Sequence, residues 1–391
     1  MACAGSGAAV PVEITSAMTR VLISGGGVTG ASVYHYLATL IPALSDASYT
    51  VWERGPSVGG RMGNSYLKSC HLHESANAPL CEPFCEMGAQ YLTKSDKTND
   101  FDDVYKRLLD DGVITSLEPR CVEGMKEEHY GKTHYRSTKG LSRVCNNLLS
   151  GATVFTDTYL SNLDRSTDGA QWVASKTSST SNDTTQELFD IVVLTMPFPN
   201  VLQLTGDVSA VMEQSGLSAN MRKVKYSSRY ALAAYYSPTA NSALERIPWS
   251  AKYIYDDDII RYIAIESRKA FGTNVRTCPV ALLAHTSVPF GIENESSDRS
   301  DIQMRILSNV ERILGGMPES PIQTELLYWQ TSQVSTAISG YNGAALVSAA
   351  GAGHAAPLLA VAGDSFTESN FEGCLRSAMA AAKLIARTWR Q

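Results

Sequence analysis

Three glycines near the N-terminus have the spacing of a dinucleotide-binding turn. Residues 21–30 read VLISGGGVTG, which is the pattern G-x-G-x-x-G between an apolar run and a helical pattern. The first glycine allows a sharp turn, the second lets a pyrophosphate approach the backbone, and the third lets the helix pack closely on the strand. The free N–H groups of the helix N-terminus would face the phosphates. The expected contacts are Gly25, Gly27, Val28, Thr29 and Gly30.

An acid follows the second apolar run, where a ribose would lie. Glu53 closes the run at 49–52 and comes 23 residues after the last glycine. A carboxylate at this place can accept hydrogen bonds from a ribose diol. We expect Arg54 and Tyr159 to line the same site. An ordinary glycine-rich turn is the alternative, and the strand, helix and acid in register argue against it.

Two further segments suit a longer cofactor than NAD. Gly60 and Arg61 stand in the run GGRM at 59–62, and an arginine after two glycines can approach and neutralise a pyrophosphate. The run GAQY, which consists of Gly88, Ala89, Gln90 and Tyr91, is the kind of edge that lines a ring system.

The C-terminal region adds a second strand, turn and helix. Gly363 and Asp364 follow an apolar run, and the acid there can hold a ribityl hydroxyl. The helix N-terminus near Phe371 and Gly373 can face an electron-rich ring. NAD needs only the first glycine pattern, whereas a flavin needs a long site closed by distant segments. The sequence therefore favours FAD over NAD.

Composition restricts the class of protein. The chain has 391 residues, of which 44% are hydrophobic and 18% charged, as in a soluble globular protein with large cores. A net charge of −6 and the lack of a dense basic block argue against a nucleic-acid partner. No apolar run reaches about 18 residues, so we expect no spanning helix and no membrane partner.

The eight cysteines are scattered and show no disulfide framework, so a reduced compartment is the simpler expectation. The Cys- and His-containing loop between Cys70 and Cys85 matches no standard zinc spacing, and we predict no metal site. Residues 1–20 lack a secretory pattern and suggest a disordered tail. We expect a cytoplasmic protein, with secreted or organellar locations as the alternatives.

The elements around these motifs predict an α/β (α+β) fold. A strand at 21–25, a helix at 28–41 and a strand at 49–53 form a βαβ unit with a parallel sheet. Strands are also expected at Thr153–Leu160 and Leu358–Ala362. Helices are expected at 373–387 and at Phe101–Asp111, the latter with Val104, Leu108 and Leu109 as its apolar stripe. The C-terminal strand, turn and helix repeat the order of the first strand, turn and helix. We therefore predict a Rossmann-like FAD-binding domain that is discontinuous in sequence.

From residue 226 the pattern changes to β-rich runs separated by polar loops. These runs predict a second domain with an antiparallel sheet over the cofactor. After the tail at 1–20, the predicted FAD-binding domain comprises 21–95, 136–200 and 330–391, and the substrate domain comprises 96–135 and 201–329.

Together these segments make the chain similar to the renalases, a family within the amine-oxidase-like superfamily of FAD proteins, whose fold is that of p-hydroxybenzoate hydroxylase and the amine oxidases. The similarity covers residues 21–391. The matching segments are 21–30, 51–53, 59–62, 88–91, 193–197, 203–207, 226–232, 285–291 and 363–377. An insertion between Cys70 and Cys85 and an Ala-rich stretch at 343–356 depart from the family pattern.

The resemblance implies an oxidase with non-covalent FAD. Renalases oxidise the 2- and 6-dihydro isomers of NAD(P) to NAD(P)⁺, and oxygen then reoxidises the flavin to give hydrogen peroxide. A hydride leaves a dihydropyridine carbon and aromatisation drives the step, so no nucleophile or general base is required. The residues expected beside the substrate are His285, Trp329, Tyr91 and Arg229. Taken without the family, each is more often a packed or ion-paired residue.

Two other functions remain open at the level of sequence. A true amine oxidase would carry two tyrosines facing the flavin near the C-terminal motif, but residues 363–373 contain Phe366 and Phe371 and no tyrosine. A non-catalytic flavin-binding signalling protein is the third possibility. These motifs do not indicate a preference between the two dihydro isomers or between NAD and NADP. They also do not indicate the oligomeric state.

Overall fold

Two six-stranded sheets organise the protein. The computed structural model describes residues 18–68, 82–95, 99–129, 131–272, 278–348 and 357–389. Its helices are α1 (Val28–Leu40), α2 (Asp102–Asp110), α3 (Ser142–Leu148), α4 (Phe198–Val201), α5 (Asp207–Gln214), α6 (Leu217–Met221), α7 (Asn241–Leu244), α8 (Glu266–Phe271), α9 (Val288–Glu293), α10 (Arg299–Leu314) and α11 (Phe371–Trp389). Its strands are β1 (Arg20–Ser24), β2 (Ser48–Trp52), β3 (Asn64–Tyr66), β4 (Phe84–Glu86), β5 (Leu92–Lys94), β6 (Thr115–Ser116), β7 (Val122–Glu123), β8 (Thr133–Arg136), β9 (Thr153–Phe155), β10 (Thr158–Arg165), β11 (Trp172–Ser178), β12 (Thr184–Phe189), β13 (Ile191–Leu194), β14 (Lys225–Tyr236), β15 (Ala251–Tyr253), β16 (Ile260–Ile265), β17 (Val280–Thr286), β18 (Gln323–Thr336), β19 (Ala344–Ser348) and β20 (Leu358–Ala362).

The first sheet is parallel except at one edge and has the order β19-β20-β13-β1-β2-β9. The strand β19 is antiparallel to β20, and the other neighbours run parallel. Apolar side chains cover both faces, because Val21 and Ile23 enter one core while Leu22 enters another. Helices α1, α3 and α11 pack on one face, and the hairpin sheet β10-β11-β12 packs on the other. Continuous apolar strands are typical of a parallel sheet buried on both sides.

The second sheet has the order β18-β14-β17-β16-β15-β7 and is antiparallel except where β7 joins β15. One face packs on α10 through Ile302, Ile306 and Val310. The opposite face carries Ala231, Tyr262 and Leu283 and turns toward the segment around residues 85–91. This second face supplies side chains to the candidate site described below.

Two elements differ from the sequence predictions, and a third observation bears on the domain division, which stays a prediction. The single strand predicted at Thr153–Leu160 is two strands, because Asp157 has a φ of 49° and turns the chain out of the first sheet. Leu109, expected in the apolar stripe of α2, is 41% exposed, while Tyr105 is buried with Val104 and Leu108. Helix α2 also packs in the core of the first sheet, although the predicted division assigned residues 96–135 to the second domain.

The predicted division into domains remains a prediction. Strand β18 runs through its boundary at residue 330, and strand β7 brings residues near 122 to the second sheet. Residues 1–17 of the predicted tail and most of the loop between Cys70 and Cys85 lie outside the described residues, whereas Arg20, predicted as the last residue of the tail, is the first residue of β1. No helix in the described ranges is long and apolar enough to span a membrane.

Candidate functional site

The glycine turn between β1 and α1 has the geometry predicted for it. Gly25 has a φ of 111°, and its N–H donates to the carbonyl oxygen of Trp52 at 2.9 Å. A Cβ on Gly30 would lie 1.9 Å from the Gly25 oxygen, so only glycine allows this approach of helix to strand. Gly27 is the N-cap of α1 and makes no capping bond with a side chain. A Cβ there would meet atoms only at 3.9 Å, which leaves its backbone accessible from the cavity.

Glu53 is fixed at the end of β2 by two main-chain donors. The N–H of Gly26 donates to Oε2 at 2.8 Å, and the N–H of Gly55 donates to Oε1 at 2.7 Å. Each carboxylate oxygen keeps a further lone pair, because an ionised carboxylate has about four acceptor positions. The acid therefore faces the cavity with its orientation set before any ribose arrives.

A second pair of glycines lies against the first turn. Gly59 and Gly60 have φ values of 133° and 53°, and the N–H of Gly59 donates to the Gly26 oxygen at 3.0 Å. Because a Cβ on Gly60 would lie 3.3 Å from the Gly27 Cα, the two backbones pass close to each other. The next residue, Arg61, is positioned by this contact.

Arg61 and Asp364 form a bidentate ion pair. The two guanidinium nitrogens lie 2.6 Å and 2.7 Å from the carboxylate oxygens, and the Ser369 hydroxyl donates to the same carboxylate. Burial raises the pKa of Asp364, but the Arg61 charge together with the hydrogen bonds from Arg61 and Ser369 outweighs burial and holds the pKa below its usual value. From the sequence, Arg61 was expected to contact a pyrophosphate and Asp364 a ribityl hydroxyl. In the structure they bind each other, which ties the 59–62 turn to the C-terminal segment.

The GAQY segment packs against the backbone of Arg61. The N–H of Ala89 donates to the Arg61 oxygen at 2.8 Å, and a Cβ on Gly88 would lie 2.1 Å from that oxygen. Glycine is therefore required at 88 by close backbone approach. Gly373 has a similar role in α11, since its Cβ would lie 2.2 Å from the Glu368 oxygen.

One face of the second sheet forms the opposite wall. Trp329 and Arg229 are paired across β18 and β14, and Ala231, two residues after Arg229, is paired with His285 on β17. Strand alternation places these side chains on the same face as Tyr253 on β15. The indole N–H of Trp329 donates to the Met87 oxygen at 2.6 Å, which joins this wall to the segment before Gly88.

His285 belongs to a chain of hydrogen bonds that begins at Tyr91. The Tyr91 and Tyr253 hydroxyls are 2.9 Å apart, and the Tyr253 hydroxyl donates to the Gln90 Oε1 at 2.6 Å. Gln90 Nε2 lies 3.2 Å from His285 Nδ1, so this network assigns the imidazole proton to Nε2. Burial, followed by the charges of Arg229 and Lys269, lowers the pKa of His285 to about 3. The ring is therefore neutral at physiological pH.

Arg229 is a half-buried cation held by a neutral partner. Its guanidinium donates to the Gln333 Oε1 at 2.9 Å, and its Nε has no hydrogen-bond partner among the described residues. Burial and the nearby Arg261 guanidinium both lower the pKa of Arg229 from its usual value. An anionic or carbonyl group that entered the cavity would stabilise the charged guanidinium of Arg229.

Sequence reasoning missed several supporting residues. Lys269 is 3% exposed, and its Nζ donates to the Gln90 oxygen at 2.7 Å and to the Glu266 carboxylate at 2.8 Å. The i,i+3 spacing of Glu266 and Lys269 was visible, but nothing local showed that α8 turns into the core. Tyr253 and Gln333 could have been found from the alternation of their strands.

These segments enclose a cavity of about 1250 Å³. The predicted residues that line it are Gly25, Gly27, Val28, Thr29, Glu53, Arg54, Gly60, Arg61, Gly88, Ala89, Gln90, Tyr91, Tyr159, Arg229, His285, Trp329, Asp364 and Phe371. Gly30, Gly363 and Gly373 do not line it, and Gly30 and Gly373 act through close backbone packing. Ligand cavities are commonly about 300–1,000 Å³, so this one has room for a dinucleotide and part of a second molecule.

The fit to a flavin dinucleotide rests on the arrangement of donors. The open backbone at Gly27 and the uncapped N-terminus of α1 suit a pyrophosphate, and Glu53 suits the adjoining ribose. The segment 88–91 and the second sheet suit a planar ring at the far end of the cavity.

The cysteines give one correction. Burial raises the pKa of the Cys374 thiol to about 12, and this half-buried residue lines the cavity. Cys85, Cys121 and Cys145 are also free. Cys278 is disulfide-bonded, contrary to the expectation that the cysteines are reduced. Within the part of the chain that the structure describes, no three metal-ligating side chains cluster.

Comparisons with known proteins agree with this geometry. The family model described as flavin containing amine oxidoreductase matches residues 115–386. Renalase of Mus musculus is 31% identical over 375 residues, which cover 95% of this chain and 99% of that protein. A crystal structure described as a protoporphyrinogen oxidase of Exiguobacterium sp. 255-15 matches with a TM-score of 0.63 at 12% identity, covering 95% of this chain and 99% of that one. At such low identity the last likeness concerns the fold alone. The predicted fold class and the FAD cofactor are confirmed.

Proposed function

We propose that this chain, which belongs to the family of flavin-containing amine oxidoreductases and uses FAD, oxidises the 2- and 6-dihydro isomers of NAD(P) to NAD(P)⁺, with oxygen as the acceptor and hydrogen peroxide as the product. Membership in the family establishes an FAD-dependent oxidoreductase. The dihydronicotinamide substrate and the oxygen acceptor are the proposal.

The observation that carries it is the chemistry of the wall formed by the second sheet. Trp329 and Tyr91 offer flat aromatic surfaces, Arg229 offers a cation, and His285 is a neutral, buried imidazole. Bound FAD supplies a hydride acceptor. Release of a hydride from a dihydropyridine needs no base, so a wall that orients a planar ring and excludes water is sufficient.

The residues that would hold FAD come from the other wall. The backbone of Gly25, Gly27 and Thr29 would bind the pyrophosphate, and Glu53 would accept from the ribose. The Arg61–Asp364 pair would border the middle of the site, with Asp364 keeping acceptor capacity beside its arginine.

An amine substrate fits this cavity less well. A protonated amine would approach Arg229 and Arg261, which are both cationic, and like charges repel most strongly where water is excluded. Phe366 is buried in the core of the first sheet, so it cannot form half of an aromatic cage. These observations favour an electron-rich, neutral ring with an anionic tail.

Anaerobic bleaching of the flavin tests the proposal. The purified FAD-loaded protein is titrated with 6-dihydroNAD, 2-dihydroNAD and a panel of primary amines, and absorbance of the oxidised flavin is followed. Bleaching by a dihydro isomer, with peroxide formed when air is admitted, is the expected result. Bleaching by an amine alone would establish the amine-oxidase alternative, and no response to either class would favour a non-catalytic flavin protein.

A further inference from the structure

The wall on the first sheet carries both acids and arginines, among them Arg61 and Arg376, whereas the described lining residues of the second sheet include arginines and no carboxylate. The acids Glu53, Asp364, Glu368 and Glu372 all come from the side of the first sheet, and each accepts a bond from a nearby donor. Arg229 and Arg261 come from the second sheet. Neither forms an ion pair with a carboxylate in the described ranges, although the whole chain has a net charge of −6. An excess of positive charge at one wall needs an explanation.

Both guanidinium groups are held in place by neutral oxygens. Arg229 donates to the Gln333 Oε1 at 2.9 Å, and Arg261 donates to the Ile254 carbonyl oxygen at 2.8 Å. Arg261 also lies over the Tyr255 ring at 5.4 Å, and Tyr255 stacks on Tyr253 at 6.4 Å. These contacts fix the positions of the two cations and leave their charges uncompensated.

Both arginines line the same cavity from strands β14 and β16, which flank β17, and this arrangement makes the pair a site for a multiply charged anion. Burial and then the Arg261 charge lower the pKa of Arg229. Two guanidinium groups held near each other can each present paired N–H donors to phosphate oxygens. Lys126 and Lys132 line the same cavity and add positive charge.

The pyrophosphate of FAD does not account for this pair. The glycine turn at Gly25–Gly30 provides its own backbone donors on the first sheet, and Glu53 fixes that end of the cofactor. Arg229 and Arg261 are on the second sheet with Trp329 and His285, beside the residues assigned to the substrate. An anionic group bound at this pair would therefore belong to the substrate.

We propose that Arg229 and Arg261 bind the diphosphate of the dihydronicotinamide substrate, so that the protein selects phosphorylated nucleotides over the corresponding nucleoside. This inference rests on the proposed function and specifies its substrate class. Tyr255, beside Arg261, gives the adenine end of a dinucleotide an exposed aromatic face, since it is 53% exposed.

The test compares substrates that differ only in their phosphates. We expect Arg261→Gln to raise the KM for 6-dihydroNAD by about tenfold to a hundredfold, because a charge-assisted hydrogen bond is lost. The kcat at saturation should stay within about twofold, since binding to the tail is the same in ground and transition states. The KM for 6-dihydronicotinamide riboside should not change. Arg305→Gln on α10, across the sheet from the cavity, is the matched control.

A second measurement does not depend on turnover. Inorganic pyrophosphate is titrated into the FAD-loaded wild type and into Arg261→Gln by calorimetry, at two salt concentrations. Weaker binding in the variant, and weaker binding of the wild type at high salt, are expected. If the wild type has the same KM for 6-dihydroNAD as for 6-dihydronicotinamide riboside, the diphosphate site is overturned and the proposed function stands. If pyrophosphate binds as expected but no dihydronicotinamide bleaches the flavin, the proposed function fails and an anion site for another substrate remains.

Discussion

A buried imidazole that stays neutral limits what His285 can do. Its pKa is lowered to about 3, chiefly by burial, and its Nδ1 already accepts from Gln90. It cannot serve as a protonated acid at neutral pH. With Tyr253, it holds Gln90 against the second sheet. The sequence identified the residue and left its charge open, because burial depends on strands that lie far apart in the chain.

The first prediction concerns stability as a function of pH. His285 has a pKa of about 3 when folded and about 6.5 when unfolded, so the unfolded chain binds more protons between these values. The contribution of His285 to the free energy of unfolding should therefore fall as the pH drops from about 6.5 toward 3, by up to about 1.4 kcal/mol per pH unit. His285→Gln should remove this slope in denaturant titrations, whereas His35→Gln on α1 should leave most of it. An unchanged slope in His285→Gln would show that the ring is solvated.

The second prediction uses the ion pair between Arg61 and Asp364. Asp364→Asn leaves the Arg61 charge without its partner and should lower the free energy of unfolding by about 3 kcal/mol, since breaking a buried pair is strongly destabilising. The double variant Arg61→Met/Asp364→Asn should be destabilised by less than the sum of the losses in the single variants Arg61→Met and Asp364→Asn. Denaturant titration of the four FAD-free proteins gives the coupling, and FAD titration should show weaker binding in each variant. Additive losses would show that the pair is not coupled.

The pairing of residues 303 positions apart shows what local sequence cannot supply. Each of the two residues follows a glycine motif, was predicted to be near the cofactor and lines the cavity. Their mutual ion pair depends on the C-terminal strand β20 returning beside β13, and only the folded sheet brings that about.

At the scale of elements, periodic apolar patterns located most helices and strands of the first sheet. Strand β20 has the predicted bounds, and β1, α1 and β2 differ by one residue at their ends. Errors occurred where a single residue changes direction. Asp157 separates β9 from β10 by adopting a left-handed conformation, which few non-glycine residues do, so an alternating pattern across it suggested one strand.

The third prediction separates two glycines of the same turn. A Cβ on Gly27 meets only atoms at 3.9 Å and its φ is −79°, so Gly27→Ala should fold with nearly normal stability. Its methyl group would occupy the space over the turn, and FAD affinity should fall by about tenfold or more. Gly30→Ala places a Cβ 1.9 Å from the Gly25 oxygen and should cost about 1–3 kcal/mol or more of stability as well as FAD. Thermal unfolding and flavin titration distinguish them. Equal stability of the two variants would contradict the close packing of α1 on β1.

At the scale of the whole molecule, the cavity is formed by segments that are distant in sequence. The first sheet contributes its glycine turn and acids, the second sheet contributes aromatic residues and arginines, and the segment 84–94 contacts both. A sequence pattern can show each contribution but not the distance between them. The charge difference between the two walls appears only when the sheets face each other.

The fourth prediction follows from this arrangement. FAD would contact residues 25–30, 59–61, 88–91 and 364–373 at once, so removing it should loosen these segments while the cores of the two sheets remain folded. Hydrogen exchange of the FAD-free and FAD-loaded protein, at labelling times too short for global unfolding, should show increased exchange in those four segments. Helix α10 packs on the far face of the second sheet through Ile302, Ile306 and Val310 and should exchange equally in both states. A uniform change in hydrogen exchange along the chain would mean that FAD stabilises one cooperative unit. The two sheets would then not open independently. Change confined to 25–30 would mean that the C-terminal segment does not reach the cofactor.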